Sequence, residues 1–66
     1  ENDNVLQHLG FLEYQRNNPQ RAIELMLKAI SINPLNPDHY INLGAVYKHF
    51  GRFKDAIECY QTALQL

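Results

Sequence analysis

The chain has no tryptophan and only one cysteine, and its charges nearly cancel, with a formal net charge of −1 over 66 residues. The single Cys59 excludes a disulfide within the chain, and a lone thiol favours a reducing, cytoplasmic compartment. Near-neutral charge argues against nucleic acid as the main partner, because phosphate binding requires a basic face. No apolar run approaches the roughly 20 residues of a membrane-spanning helix, and no signal peptide is recognisable. We therefore expect neither nucleic-acid nor membrane binding.

Residues that could carry chemistry are also scarce. No two of His8, His39 and His49 are four residues apart, and no second cysteine accompanies Cys59, so the spacing of zinc ligands is absent. Ser31 and Cys59 lack a nucleophile motif, and the glycines stand singly rather than in a phosphate-binding loop. We interpret His8 and His49 as polar residues of a helix face, His39 as a first-turn residue and Cys59 as a partly buried apolar residue. We expect no catalytic site, no metal and no cofactor.

Two of the three prolines in this chain stand where a helix is predicted to begin. Pro19 and Pro37 each follow an asparagine, which is typical of an N-cap followed by the first turn of a helix. Asn2 and its neighbours offer cap oxygens for a helix that precedes both. No segment has the period-2 alternation of a strand. We predict four helices, at about residues 4–16, 19–32, 37–50 and 53–66.

The second half of the chain repeats the first half in a constant register. Leu9-Gly10 corresponds to Leu43-Gly44, and Asn17 corresponds to Gly51. Asparagine and glycine are the residues that best adopt the left-handed conformation that ends helices. A glycine inside a helix costs about 1 kcal/mol relative to alanine, which is acceptable if another helix approaches closely there. The pattern indicates two copies of one closely packed helical hairpin.

The better-formed copy reads YINLGAVY at Tyr40–Tyr47, followed by Ala56 and Tyr60. This arrangement of aromatic residues around Leu-Gly resembles the tetratricopeptide repeat, a helix-turn-helix unit of about 34 residues. The resemblance implies an all-α fold, in which two antiparallel helical hairpins stack as a right-handed α-solenoid. We expect a single domain over residues 1–66, with repeat one at about 3–36. Repeat two is expected at about 37–66, incomplete at its C-terminal end.

The resemblance also implies that the first helix of each hairpin lines a concave groove for partner peptides. On a helical wheel, the residues opposite the apolar stripe of these two helices are mostly polar. We predict that this face binds a protein or peptide segment, and a plain solvated face is the alternative. The predicted groove residues are Asn4, Gln7, His8, Phe11, Gln15, Asp38, Ile41, Asn42, Ala45 and His49, with Tyr14 and Lys48 at the flank.

Two narrower resemblances concern the inward positions of the groove. Many tetratricopeptide domains hold chaperone tails with a Lys/Asn/Arg clamp, which is not recognisable here, because Gln7, Phe11 and Asn42 occupy those positions. The arrays fused to O-linked sugar transferases repeat an asparagine before Leu-Gly, and Asn42 matches that pattern whereas His8 does not. A second function therefore stays open: a structural spacer or oligomerisation unit of a larger protein, including one with a glycosyltransferase-type domain.

The last predicted helix presents apolar side chains that no later helix of the chain covers. An exposed apolar patch of this kind favours association with a partner. We predict that the chain forms a homo-oligomer through this helix. The predicted self-association residues are Ile57, Tyr60, Leu64 and Leu66.

Glu13 conflicts with the pattern around it. It takes the repeat position of Tyr47 and lies within the apolar stripe of the first helix, whose members include Leu9 and Leu12. An unpaired buried carboxylate is costly. We therefore expect Glu13 to reach the surface or to pair with Arg16 or Arg21.

Overall fold

The computed structural model describes residues 2–66, so Glu1 of the predicted domain lies outside the described residues. The described residues form four helices and no strand. Each helix boundary lies within one residue of its predicted position, which confirms the all-α assignment. The helices are α1 (Asp3–Gln15), α2 (Pro19–Ile32), α3 (Pro37–His49) and α4 (Phe53–Gln65).

The helices pack as two hairpins. Helix α1 packs along α2 and α3 packs along α4, and a smaller contact between α2 and α3 stacks one hairpin on the other. The main cluster of buried side chains lies at this stacking contact. Its buried members are Ala22, Met26, Leu43, Val46, Tyr47 and Ala56. A second, smaller cluster lies within the first hairpin and contains Leu6, Leu25 and Ala29.

The two hairpins turn in the same way, at the same repeat position. Asn17 and Gly51 have positive φ angles of 62° and 82°. The backbone N–H of the next residue donates to the carbonyl oxygen five residues back, which belongs to Glu13 in one hairpin and Tyr47 in the other, at 2.9 and 2.8 Å. This is the Schellman arrangement that satisfies the last carbonyls of a helix. The predicted left-handed helix ends are therefore confirmed.

The N-termini of the helices differ between the two members of each hairpin. The side-chain oxygen of Asn2 caps α1 and that of Asn36 caps α3, accepting from backbone N–H groups at 2.8 and 3.0 Å. Asn18 is the N-cap residue of α2, as predicted, but its side chain makes no capping hydrogen bond. Its amide donates instead to Oε1 of Glu13 at 3.2 Å. Arg52 makes no cap on α4, which agrees with its poor capping chemistry.

Both helical glycines lie where two helices touch. A Cβ added to Gly10 would lie 2.8 Å from Cγ of Met26, and one added to Gly44 would lie 2.8 Å from Cε1 of Tyr60. The predicted close approach is therefore present in each hairpin. The ring of Tyr60, a predicted self-association residue, is half-buried against Gly44, so only part of it is exposed.

Candidate functional site

The predicted groove residues lie on α1 and α3, the first helices of the two hairpins. Nine of the ten are exposed, and Gln7 is half-buried. The Oε1 atom of Gln7 is buried and has no hydrogen-bond partner among the described residues. The face is mostly polar, with Phe11 and Ile41 as its large apolar members, 45% and 46% exposed. These exposures are compatible with a binding face and with a solvated one.

Four rings at the C-terminal ends of α1 and α3 form an aromatic cluster of Phe11, Tyr14, His49 and Phe50. The ring centroid of Tyr14 lies 5.9 Å from that of Phe11, 5.1 Å from that of His49 and 6.0 Å from that of Phe50. The contacts of Tyr14 with His49 and Phe50 are edge-to-face, which is a favourable arrangement for aromatic pairs. The structure thus joins two predicted groove residues, Phe11 and His49, through the predicted flank residue Tyr14.

Next to the aromatic cluster is an open pocket of about 350 Å³. Its walls come from three helices, and it includes one more predicted groove residue, Ala45, and the predicted flank residue Lys48. Lys48 therefore lines the pocket together with aromatic side chains. The lining residues are Tyr14, Ala45, Lys48, His49, Phe53 and Tyr60.

The other predicted groove residues are not brought into this cluster. Asn4 and Asp38 lie in the first turns of α1 and α3, at the opposite end of both helices. Asn42 is exposed in the middle of α3 and makes no side-chain hydrogen bond within the described part of the chain. Phe50 is a member of the cluster that the sequence pattern did not nominate. Its signal was weak, because the equivalent residue of the first repeat is the exposed Arg16.

His39 differs most from its predicted role as an ordinary first-turn residue. Its side chain is 1% exposed, and its Nε2 lies 2.7 Å from Oδ2 of Asp3, at the start of α1. The side-chain amide of Asn33 donates to the same oxygen at 3.3 Å. These hydrogen bonds, chiefly the one with His39, lower the pKa of the Asp3 carboxyl. The cluster ties the starts of α1 and α3 together and has a structural role.

Glu13 resolves its conflict at the surface of the first hairpin. Its side chain is 23% exposed, accepts from the Asn18 amide and lies 4.0 Å from Nη1 of Arg16, one of the two predicted partners. In the second hairpin, the position of Glu13 is held by Tyr47, whose ring lies under Arg52. There the guanidinium carbon lies 4.6 Å from the ring centroid, a cation–π contact. The side chain at this repeat position thus makes polar contacts with Asn18 and Arg16 in the first hairpin and a cation–π contact in the second.

The remaining chemically reactive side chains are the Cys59 thiol and the histidine and acidic groups. Cys59 is half-buried against the main core cluster, and burial, with smaller contributions from Asp55 and Glu58, raises the pKa of its thiol. A raised pKa makes a thiol less reactive at neutral pH. In residues 2–66, three or more His, Cys, Asp or Glu side chains do not gather anywhere as a metal site would require. None of the four helices combines the length and apolarity of a membrane span.

Two family models match the chain, and both are described as tetratricopeptide repeat. One matches residues 4–33 and the other matches residues 37–66. The first match covers most of α1 together with α2, and the second covers α3 and α4. Repeats of this kind generally serve as protein–protein interaction modules. The chain belongs to the tetratricopeptide repeat family and carries two repeats in tandem.

Proposed function

We propose that the chain binds a peptide or protein segment along the face formed by the predicted groove residues of α1 and α3. The observation that carries this proposal is the partly exposed aromatic cluster beside an open pocket. Aromatic side chains are enriched at the buried centres of protein interfaces, because they bury a large area at a low cost in conformational entropy. Phe11 has 45% of its surface free to be covered in this way.

The charges around the pocket indicate which kind of peptide segment would bind there. Lys48 lines the pocket, and it lies in the last turn of α3 together with His49. The acidic Asp38 lies in the first turn of the same helix. A segment that places an apolar or aromatic side chain against the rings and a carboxylate near Lys48 would complement this end. Asn42, further along α3, would donate to and accept from the backbone of an extended segment.

A triple variant tests this proposal. Phe11→Ala, Asn42→Ala and His49→Ala are combined, and peptides selected from a random display library on the unchanged chain serve as probes. We expect at least about a tenfold loss of affinity, equivalent to about 1.4 kcal/mol, with unchanged helicity by circular dichroism. The matched control combines Gln20→Ala, Lys54→Ala and Gln65→Ala, three exposed residues of α2 and α4. Equal affinity of the triple variant and the control would reject the groove.

A second candidate function is self-association through α4. Ile57, Leu64 and Leu66 are 55%, 87% and 51% exposed, and they are apolar. Tyr60, the fourth predicted residue, offers only the part of its ring that does not pack on Gly44. Light scattering of the purified chain over a concentration series tests this candidate. A single monomer mass at every concentration would remove it.

A further inference from the structure

We propose that a second copy of this chain stacks on the first in a head-to-tail manner, with α4 of one copy lying against α1 and α2 of the next. The head face is the outer side of the first hairpin: Leu9, Leu12, Glu13, Gln15, Arg16, Arg21 and Leu25. The tail face is the exposed side of α4: Lys54, Ile57, Glu58 and Leu64. The inference rests on the second candidate function, and it names the partner surface.

The template for this contact lies inside the chain, where the hairpins stack. Ile23 and Ile30 of α2 are half-buried and pack against the main core cluster. On α3 that cluster includes Leu43 and Val46, each only 2% exposed. The contact between the hairpins is therefore an apolar surface of one second helix, α2, against an apolar surface of the next first helix, α3.

The head face repeats the α3 half of this contact without a cover. Leu9 and Leu12 hold the repeat positions of Leu43 and Val46, and they are 43% and 40% exposed. An open pocket of about 400 Å³ lies beside them, with Leu25 at its wall. The residues at these two repeat positions are apolar in both hairpins. Those of α3 are covered by α2, whereas Leu9 and Leu12 of α1 are not covered.

The tail face repeats the α2 half. Ile57 and Leu64 hold the repeat positions of Ile23 and Ile30, and they are 55% and 87% exposed. The two ends of the chain therefore carry the two halves of one interface, and the chain itself shows how these halves fit. A second copy placed by the operation that relates the two hairpins brings Ile57 and Leu64 onto Leu9 and Leu12.

The charges agree with this placement. Within the chain, Glu24 lines a pocket together with Phe50 and Arg52. The equivalent of Glu24 on the tail face is Glu58, and the equivalent of Phe50 on the head face is Arg16. Stacking therefore places a carboxylate next to a guanidinium. The head face carries Glu13, Arg16 and Arg21, and the tail face carries Lys54 and Glu58. Both faces hold charges of each sign, so neither face repels the other as a whole.

The geometry makes the assembly open-ended. Head and tail are different surfaces, so each added copy exposes a new tail or a new head, as in other heterologous contacts. Of the predicted groove residues, Gln15 borders the head-face pocket, whereas Asn4 and Asn42 lie on neither face. Stacking thus reaches the predicted groove only at Gln15 and leaves Phe11 and Asn42 accessible, so a failure of one proposal does not imply a failure of the other.

Two blocked variants of the full 66-residue chain test the inference. Leu12→Glu places a carboxylate on the head face, and Ile57→Glu places one on the tail face. We expect the unchanged chain to gain mass with concentration beyond a dimer, and each variant alone to remain monomeric. An equimolar mixture should form a 1:1 complex, with about twice the monomer mass, because one variant keeps its tail and the other keeps its head. Multi-angle light scattering measures all four samples, and circular dichroism verifies that each is folded.

A matched control and a charge exchange sharpen the test. Ser31→Glu adds the same charge at an exposed site of α2 outside both faces and outside the groove, and it should assemble like the unchanged chain. Arg16→Glu and Glu58→Arg should each weaken assembly, and the two together in one chain should restore part of it. A monomer at every concentration would overturn the inference. So would a mass that stops at the dimer, or a mixture of the two blocked variants that stays monomeric.

Discussion

Oδ2 of Asp3 lies 2.7 Å from Nε2 of His39, and this contact joins the first turn of α1 to the first turn of α3. The histidine is fully buried, and its other ring nitrogen has no partner among the described residues. Asp3 is therefore the hydrogen-bond partner of a side chain that is shielded from solvent. Since buried polar groups are costly when unpaired, the pair helps to fix how one hairpin sits on the other.

Removing the two partners should have unequal effects. Asp3→Ala leaves the His39 ring buried without its hydrogen bond, so we expect a lower thermal midpoint. His39→Val introduces the residue that stands at the equivalent position of the first repeat, Val5, and leaves Asp3 free to be hydrated, so the loss should be smaller. The double variant should lose less than the sum of the two, as measured by thermal unfolding in a double-mutant cycle. Asp38→Ala, which removes another first-turn acid, is the control, and strict additivity would contradict the coupling.

The same pair predicts a loss of stability in acid. The hydrogen bonds from His39 and then Asn33 hold the pKa of the Asp3 carboxyl below its usual value of 3.8. A carboxyl whose pKa is lower in the folded chain stabilises the fold above the unfolded pKa, and this contribution disappears as the pH falls through the folded pKa. The difference in thermal midpoint between the unchanged chain and Asp3→Asn should therefore shrink below about pH 4. A difference that stays constant from about pH 5 to about pH 2.5 would count against the Asp3–His39 interaction.

The helix boundaries and the hairpin turns could be predicted from the sequence because they depend on local residues. Pro19 and Pro37 start helices, and Asn17 and Gly51 end them, whatever lies elsewhere in the chain. The burial of His39 could not be predicted, because its partner lies in the other hairpin and the contact exists only once the hairpins have stacked.

The candidate site was predictable only in outline. A helical wheel gives the side of α1 or α3 that faces away from its own hairpin, and the exposure of Asn42 and Phe11 follows from it. The aromatic cluster depends on how far apart the C-terminal ends of the two helices lie. That separation is set by the packing between α2 and α3, and no local pattern encodes it.

The two helical glycines should respond differently to alanine. A methyl group on Gly10 meets Cγ of the fully buried Met26 and, at 3.2 Å, the carbonyl oxygen of Ala22, which cannot move independently of its helix. We expect Gly10→Ala to cost about 1–3 kcal/mol, as in other overpacked cores. Gly44→Ala meets the ring of Tyr60, which is half-exposed and can shift outward, so its cost should be smaller.

Chemical denaturation measures both glycine variants. Ala45→Gly, at the exposed position beside Gly44, provides the helix-propensity term of about 1 kcal/mol with which the two are compared. Equal losses at Gly10 and Gly44 would contradict the difference between a buried and a movable neighbour.

The left-handed positions should also be distinguishable. Gly51→Ala places a Cβ at φ 82°. This left-handed backbone conformation costs a residue with a Cβ about 1–2 kcal/mol of stability. Asn17→Ala should cost less than this, because asparagine at φ 62° already bears part of the strain in the native chain. Both losses should appear in the denaturation midpoint without a change in the slope, since the surface buried is unaffected. Ser31→Ala, at an exposed helical site, is the control, and an unaffected Gly51→Ala would be inconsistent with a strained turn.

Glu13 and Tyr47 hold the same repeat position, and exchanging their residue types should change the free energy of unfolding by very different amounts in the two hairpins. Tyr47 is 9% exposed and lies in the main core cluster, so Tyr47→Glu buries a carboxylate and should cost about 3 kcal/mol or more. Tyr47→Phe keeps the ring under the Arg52 guanidinium and should cost less than about 1 kcal/mol. Glu13→Tyr lies on the open head face and should leave the stability of the monomer nearly unchanged. Urea unfolding at low concentration measures all three, and comparable losses for Glu13→Tyr and Tyr47→Glu would show that both positions are equally covered.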